Sequence, residues 1–148
     1  MQQPSQIVEA LLQQKLLPLY YHNSAETSLS ILKALYEAGI RVVEYTHRGP
    51  SALTNFGHLK AIAGRELPDL RLGIGTIKNT QTAQDYIAAS ADFIICPSMD
   101  IDVGKQVQDA GLLWIPGCMT PTEIAAAENA GASIVKIFPG SLLGPAYI

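Results

Sequence analysis

Short apolar runs rich in β-branched and aromatic residues alternate with longer segments of helical period along the whole chain, and this alternation limits the possible folds more than any other feature. The runs are Leu16–His22 (LLPLYYH), Arg41–His47 (RVVEYTH), Leu70–Ile77 (LRLGIGTI), Phe93–Pro97 (FIICP), Leu112–Pro116 (LLWIP) and Ile134–Pro139 (IVKIFP). Between them apolar residues recur at three- and four-residue intervals, as in Leu29, Leu32, Leu35 and Tyr36, which predicts helices. Gly39, Gly111 and Gly131 each follow an alanine shortly before the next run, where a helix C-terminus favours a left-handed residue. The helix after the fifth run is the best marked: Thr120 caps, Pro121 takes the first helical position and Glu123 completes a capping box.

The order is therefore βα repeated. Continuously hydrophobic strands joined by helices imply a parallel sheet covered by those helices. An open doubly wound sheet and a closed (β/α)₈ TIM barrel both satisfy the pattern. A doubly wound sheet concentrates its site at one switch point, often with a glycine-rich turn after the first strand, and the turn HNSAET has no glycine. Here polar residues gather at the ends of many strands: Glu44, Thr46 and Arg48, then Gly75 and Thr76, then Pro97 and Ser98, then Gly117 and Thr120, with Lys136 in the sixth. That distribution favours the barrel, whose strand ends all face one site. With 148 residues the chain holds six βα units, fewer than the eight of a whole barrel. The expectation is one incomplete barrel domain over residues 1–148, exposed edges on the first and sixth strands, and a missing wall supplied by further chain or by another copy.

Composition narrows the function. The chain is 48% hydrophobic, 16% charged and carries a net charge of −3, without a cluster of Lys or Arg, which argues against nucleic acid and against an anionic membrane surface. The first residues, MQQPSQIVEALLQQ, lack a basic region followed by an apolar stretch, and no run approaches the length of a membrane span, so a cytoplasmic protein is expected. Cys96 and Cys118 are far apart and outside any CxxC arrangement, fitting separate reduced thiols. His22, His47 and His58 show neither HxH nor HExxH spacing, so no metal is expected.

Lys136 interrupts the last apolar run, and lysine is among the residues least often buried. Side chains alternate along a strand, which places Ile134, Lys136 and Phe138 on one face and Val135 and Ile137 on the other. The same parity groups Val42, Glu44 and Thr46 against Val43 and Tyr45, so a lysine and a glutamate face one interior. The pair has a structural reading, a buried ion pair, and a catalytic one. In the catalytic one a lysine amine attacks a carbonyl to form a Schiff base. A free lysine, with a pKa of about 10.4, is neutral at pH 7 in only about one part in a few thousand, and an apolar setting disfavours the ammonium form. The iminium draws electrons from the neighbouring carbon while a carboxylate such as Glu44 moves the proton. Arg48 is a candidate to hold a substrate carboxylate by a two-pronged contact. Gly73 and Gly75 give the backbone room at a crowded strand end. Parity points His47 toward the helices, and Trp114 is a core residue.

The segments VVEYTHRG at residues 42–49, GIGT at 73–76, ICPS at 95–98, IPGCMTPTE at 115–123 and VKIFPGSLLGP at 135–145 together resemble the class I 2-keto-3-deoxy-6-phosphogluconate / 4-hydroxy-2-oxoglutarate aldolases over essentially the whole chain. The resemblance implies a TIM barrel, reversible cleavage of a keto acid to pyruvate and an aldehyde, Lys136 as the Schiff-base lysine and Glu44 as the general acid/base. It also implies that Arg48, Thr76, Pro97 and Phe138, beside Thr46, line the pyruvate pocket, and that the enzyme is a homotrimer without metal or organic cofactor. The chain departs from the family where many members carry an arginine near the end of the first strand; Tyr20, Tyr21 and His22 stand there instead. Two other readings remain at this stage, a non-catalytic scaffold acting by association and a sugar-phosphate isomerase or epimerase on the same barrel.

Overall fold

A computed structural model describes residues 4–147; residues 1–3 and 148, the ends of the domain as read above, lie outside the described residues. The chain opens with helix α1 (Pro4–Gln14) and strand β1 (Leu19–Tyr20), followed by α2 (Ala25–Glu37), β2 (Val42–Thr46), α3 (Ala52–Glu66), β3 (Arg71–Gly75), α4 (Thr80–Ala88), β4 (Phe93–Ile95), α5 (Ile101–Asp109) and β5 (Leu113–Ile115). Then come β6 (Gly117–Cys118), α6 (Pro121–Asn129), β7 (Lys136–Ile137), α7 (Gly140–Leu143) and a final 3₁₀ turn at Pro145–Tyr147. Strands β1 to β5 form one parallel sheet in sequence order, and β6 pairs in parallel with β7.

Prolines account for strands shorter than the apolar runs. Pro18 has no N–H, so the first run enters the ladder through its carbonyl, which accepts from Glu44 N at 3.0 Å, and only Leu19 and Tyr20 pair fully. The fifth run was expected to end at Pro116. Instead Pro116 divides one continuing strand into β5 and β6, and its carbonyl accepts from Lys136 N at 2.8 Å. The parallel order therefore continues across that break into β7. The sixth run, expected to be buried, is corrected: Ile134, Val135, Lys136 and Ile137 are all half-buried, because β7 has a paired neighbour on one side only among the described residues.

Helix punctuation follows the sequence. Gly39, Gly111 and Gly131 adopt φ of +92°, +73° and +88° just past α2, α5 and α6. The Thr120–Glu123 capping box is formed in both directions. Two cores flank the sheet. On the outer face Val43, Tyr45, Leu72, Ile74, Ile94 and Trp114 pack with Leu32, Phe56, Leu59, Tyr86 and Val107 of the helices. On the inner face Val42, Phe93, Ile95, Leu113 and Ile115 pack together with Ile7 of α1. The parity read from sequence holds on β2, but Val135, expected to face the helices, borders the same inner cavity as Ile134 and Lys136; Trp114 is core.

Helix α1 closes the N-terminal end of the strands through one side chain. Gln14 Oε1 accepts from Arg41 N at 2.7 Å and Val42 N at 3.0 Å, while its Nε2 donates to Val42 O at 2.9 Å and Leu16 O at 2.7 Å. Backbone groups at the start of β2 are thereby satisfied without a further strand. No helix among the described residues is long and apolar enough to cross a membrane.

Candidate active site

Glu44 and Lys136 line the same cavity, of about 500 Å³, which is otherwise walled by Leu11, Leu12, Leu17, Ile95, Ile115 and Ile134 among others. Glu44 sits in the middle of β2 with its neighbours Val42 and Thr46 on the inner face, and it is only 2% exposed. Burial pushes its carboxyl above the ordinary carboxylate range, and the positive charges of Lys136 and Arg48 offset part of that rise. The ion pairs among the described residues are Lys33–Glu66, Arg41–Asp69 and Lys60–Asp92, so Lys136 and Glu44 do not form the direct pair of the structural reading. They share a cavity and a field across a gap.

The space for the Glu44 carboxyl comes from β3. A Cβ built on Gly75 would lie 1.7 Å from Glu44 Oε1, so the carboxyl rests against the bare backbone of that glycine. Gly73 plays the same part for the ring of Phe93, whose Cε2 would lie 2.2 Å from a Cβ there. The sequence reading of these glycines as steric relief is thus explained by named neighbours.

None of the remaining site candidates lines this cavity. Phe138 lies just past β7, with the Lys136 Nζ 5.2 Å from its ring centroid, and is 40% exposed. Thr46 is buried, its Oγ1 donating weakly to Tyr20 O at 3.4 Å. Arg48 is exposed in the loop after β2, beyond the end of the strand, yet close enough for its charge to act on Glu44. Pro97 is half-buried at the end of β4. Thr76 is brought to a different cavity, of about 190 Å³, lined also by His47, Lys78, Asn79 and Thr82. Its backbone is left-handed, with φ of +68°, which turns it off the line of β3. His47 faces helix α4, as parity required, with Nδ1 2.8 Å from Tyr86 Oη.

Two participants escaped the sequence reading. Lys15 lines the Glu44–Lys136 cavity, and only the spatial return of α1 beneath the strands puts it there. Tyr21 lies across Gly49, next to Arg48, a contact between loops that no periodicity encodes. Cys96 and Cys118 are both buried and unpaired; burial pushes the Cys96 thiol up to about 11 and raises Cys118 as well, so neither supplies a thiolate nucleophile.

A parallel sheet in sequence order, helices on its outer face, and ionisable residues facing inward from separate strands define an α/β protein of the TIM-barrel type. The family model described as KDPG and KHG aldolase matches residues 7–147, and the chain belongs to that family. It is 33% identical over 138 residues to the 2-dehydro-3-deoxy-phosphogluconate aldolase of Treponema pallidum, covering 93% of this chain and 64% of that protein. Against the KHG/KDPG aldolase of Escherichia coli K12 the identity is 30% over 127 residues, or 86% of this chain and 58% of the other. A crystal structure of the KDPG aldolase of Legionella pneumophila, with pyruvate captured as a covalent carbinolamine intermediate, aligns with a TM-score of 0.80 and 27% identity over 88% of this chain and 62% of that one. The chain spans less than two thirds of the length of these relatives.

Proposed function

We propose that this chain carries the Schiff-base machinery of a class I aldolase that reversibly cleaves a 2-keto-3-deoxy-6-phosphogluconate or 4-hydroxy-2-oxoglutarate type substrate to pyruvate and an aldehyde. The observation that carries the reading is the joint lining of one cavity by Lys136 and a buried Glu44 without a direct ion pair. In a direct pair the carboxylate keeps the amine protonated and the ammonium keeps the carboxylate deprotonated; a separated pair leaves room for a substrate carbon and a water between them.

The unprotonated amine of Lys136 attacks the C2 carbonyl carbon of the keto acid, and the resulting carbinolamine loses water to give an iminium. Glu44, directly or through water, takes the proton of the C4 hydroxyl. The C3–C4 bonding electrons move into the iminium, the aldehyde departs and an enamine remains. Glu44 returns the proton to C3, and water hydrolyses the iminium to release pyruvate and regenerate the amine. A carboxyl raised by burial suits a group that must both take and give a proton. Arg48 holds the keto-acid carboxylate, and Thr46, Pro97 and Phe138 shape the pocket mouth, whereas Thr76 lines a separate cavity and takes no part in this reading. The unpaired buried cysteines support a reducing, cytoplasmic setting. A homotrimer is the assembly proposed, to be read by sedimentation.

The test is intact-mass analysis after incubation with pyruvate and a mild hydride donor, followed by peptide mapping. One reduced adduct at Lys136, lost in Lys136→Ala, is expected. Lys15 is the internal control, since it lines the same cavity. No adduct, or adducts at Lys15 or scattered over exposed lysines, would sink the proposal.

A further inference from the structure

The loop that carries Arg48 is exposed, and Arg48 has no ion-pair partner among the described residues. Something must nonetheless fix its direction if it is to grip a carboxylate, because a mobile guanidinium loses side-chain entropy on every binding event. The adjacent residue shows what does. A Cβ on Gly49 would stand 2.2 Å from Tyr21 Oη, 2.8 Å from Cζ and 3.0 Å from Cε1, so the hydroxyl end of the Tyr21 ring abuts the Gly49 backbone. Gly49 O then accepts from Ala52 N at 3.0 Å, leading the loop into α3.

The ring is itself anchored. Tyr21 Oη donates to Asn23 Oδ1, and the ring packs on Tyr45 with centroids 5.7 Å apart. Buried Asn55 holds the turn beneath it, donating to His22 O at 3.1 Å and Asn23 O at 2.9 Å, and buried Tyr45 Oη donates to His22 O at 2.9 Å. A rigid path therefore runs from the α3 core through the turn after β1 to the ring of Tyr21 and onto Gly49.

We infer that Tyr21 is a positioning residue, clamping Gly49 so that Arg48 is held toward the keto-acid carboxylate. This rests on the Schiff-base reading above. Its specific consequence is a dependence on the carboxylate: loss of the clamp weakens binding of pyruvate and leaves a ketone without a carboxylate untouched.

The experiment measures reductive trapping on the full 148-residue chain against concentration for pyruvate and for acetone. Tyr21→Ala and Gly49→Ala are each expected to raise the half-saturating pyruvate concentration roughly tenfold, the scale of one weakened charge-assisted contact, with the maximal trapping rate little changed. Tyr21→Phe removes the Oη that stands nearest Gly49 and its bond to Asn23 while keeping the ring, and is expected to fall between the parent and Tyr21→Ala. In the Tyr21→Ala background, Gly49→Ala is expected to add less than about twofold, since the three atoms nearest its Cβ are then gone. Acetone trapping is expected to be equal in all variants. Additive effects of the two substitutions, or equal losses for acetone and pyruvate, would overturn the clamp and leave a merely structural tyrosine. Absence of any pyruvate adduct in the parent chain would instead remove the Schiff-base reading, and this inference with it.

Discussion

Replacing Gly75 by alanine separates the chemistry of Glu44 from the stability of the fold. The new Cβ would fall 1.7 Å from Glu44 Oε1, 2.5 Å from Cδ and 2.9 Å from Cγ, so the carboxyl must retreat by at least 1.7 Å to reach the 3.4 Å of ordinary contact. It can do so, because it borders a cavity of about 500 Å³. Gly75 has no left-handed backbone requirement, and replacing glycine by alanine restricts the unfolded chain by about 0.4–1 kcal/mol, which offsets most of the cost of a rotated side chain. The thermal midpoint is therefore expected to stay within about 3 °C of the parent. A displacement of this size at a proton-transferring group costs on the order of a hundredfold in rate. Exchange of the pyruvate methyl protons with deuterated water, followed by NMR, reads that proton transfer directly, whereas reductive trapping at Lys136 reads only the amine and should persist. Gly73→Ala is the matched contrast. Its Cβ would meet the Phe93 ring at 2.2, 2.3 and 2.4 Å, and Phe93 is fully buried in the inner core with nowhere to go. Overpacking there is expected to cost about 1–3 kcal/mol, or roughly 2–10 °C. The reasoning is refuted if Gly75→Ala exchanges pyruvate protons at the parent rate, or if it destabilises the chain as much as Gly73→Ala does.

Glu44→Gln is expected to slow proton exchange roughly 10²–10⁴-fold while raising the thermal midpoint at neutral pH, because it removes a charge that burial disfavours. The folded state binds the Glu44 proton more tightly than the unfolded chain does. The parent is thus free of the penalty below the ordinary carboxyl value of 4.5 and loses stability as pH rises through the higher folded value. The melting advantage of Gln should therefore vanish in acid, and an advantage independent of pH would contradict the assignment. Gln14→Ala is expected to destabilise the chain by about 2 kcal/mol in urea melts, because Arg41 N, Val42 N and Val42 O lose their partner together. A neutral result would mean that water serves those groups equally well.

Much of this arrangement was legible because it depends on local period. The alternation of Val42, Val43, Glu44, Tyr45 and Thr46 fixed which side chains face inward, and Ala-Gly pairs marked the helix ends, since both follow from backbone geometry alone. Strand lengths were not legible where proline intervened: Pro116 has no N–H to give, yet its carbonyl still serves Lys136, so a strand that reads as ended continues. The burial of Ile134–Ile137 was overread for a different reason. An apolar run records what a strand could bury, and burial also needs a neighbour on each side. Lys15, Gln14 and Tyr21 act through contacts set by how α1 and the loops fold back, and no spacing rule reaches them.

The relation between Glu44 and Lys136 follows from the same geometry. In direct contact, the ammonium would stabilise the carboxylate and pull the Glu44 carboxyl down, away from the pH at which it can return a proton. Across the cavity the attraction is weaker, burial remains the larger influence, and the carboxyl stays above its ordinary range. Gly75 contributes by letting Glu44 lie back against β3, and the continuation of β5 past Pro116 contributes by pairing with Lys136 from the far side. Two backbone features, neither of them titratable, thus set where Glu44 and Lys136 stand in the wall of one cavity, without a direct ion pair. Under the proposed mechanism, a carboxyl kept above its ordinary range by burial is the group that exchanges protons with a substrate held at Lys136.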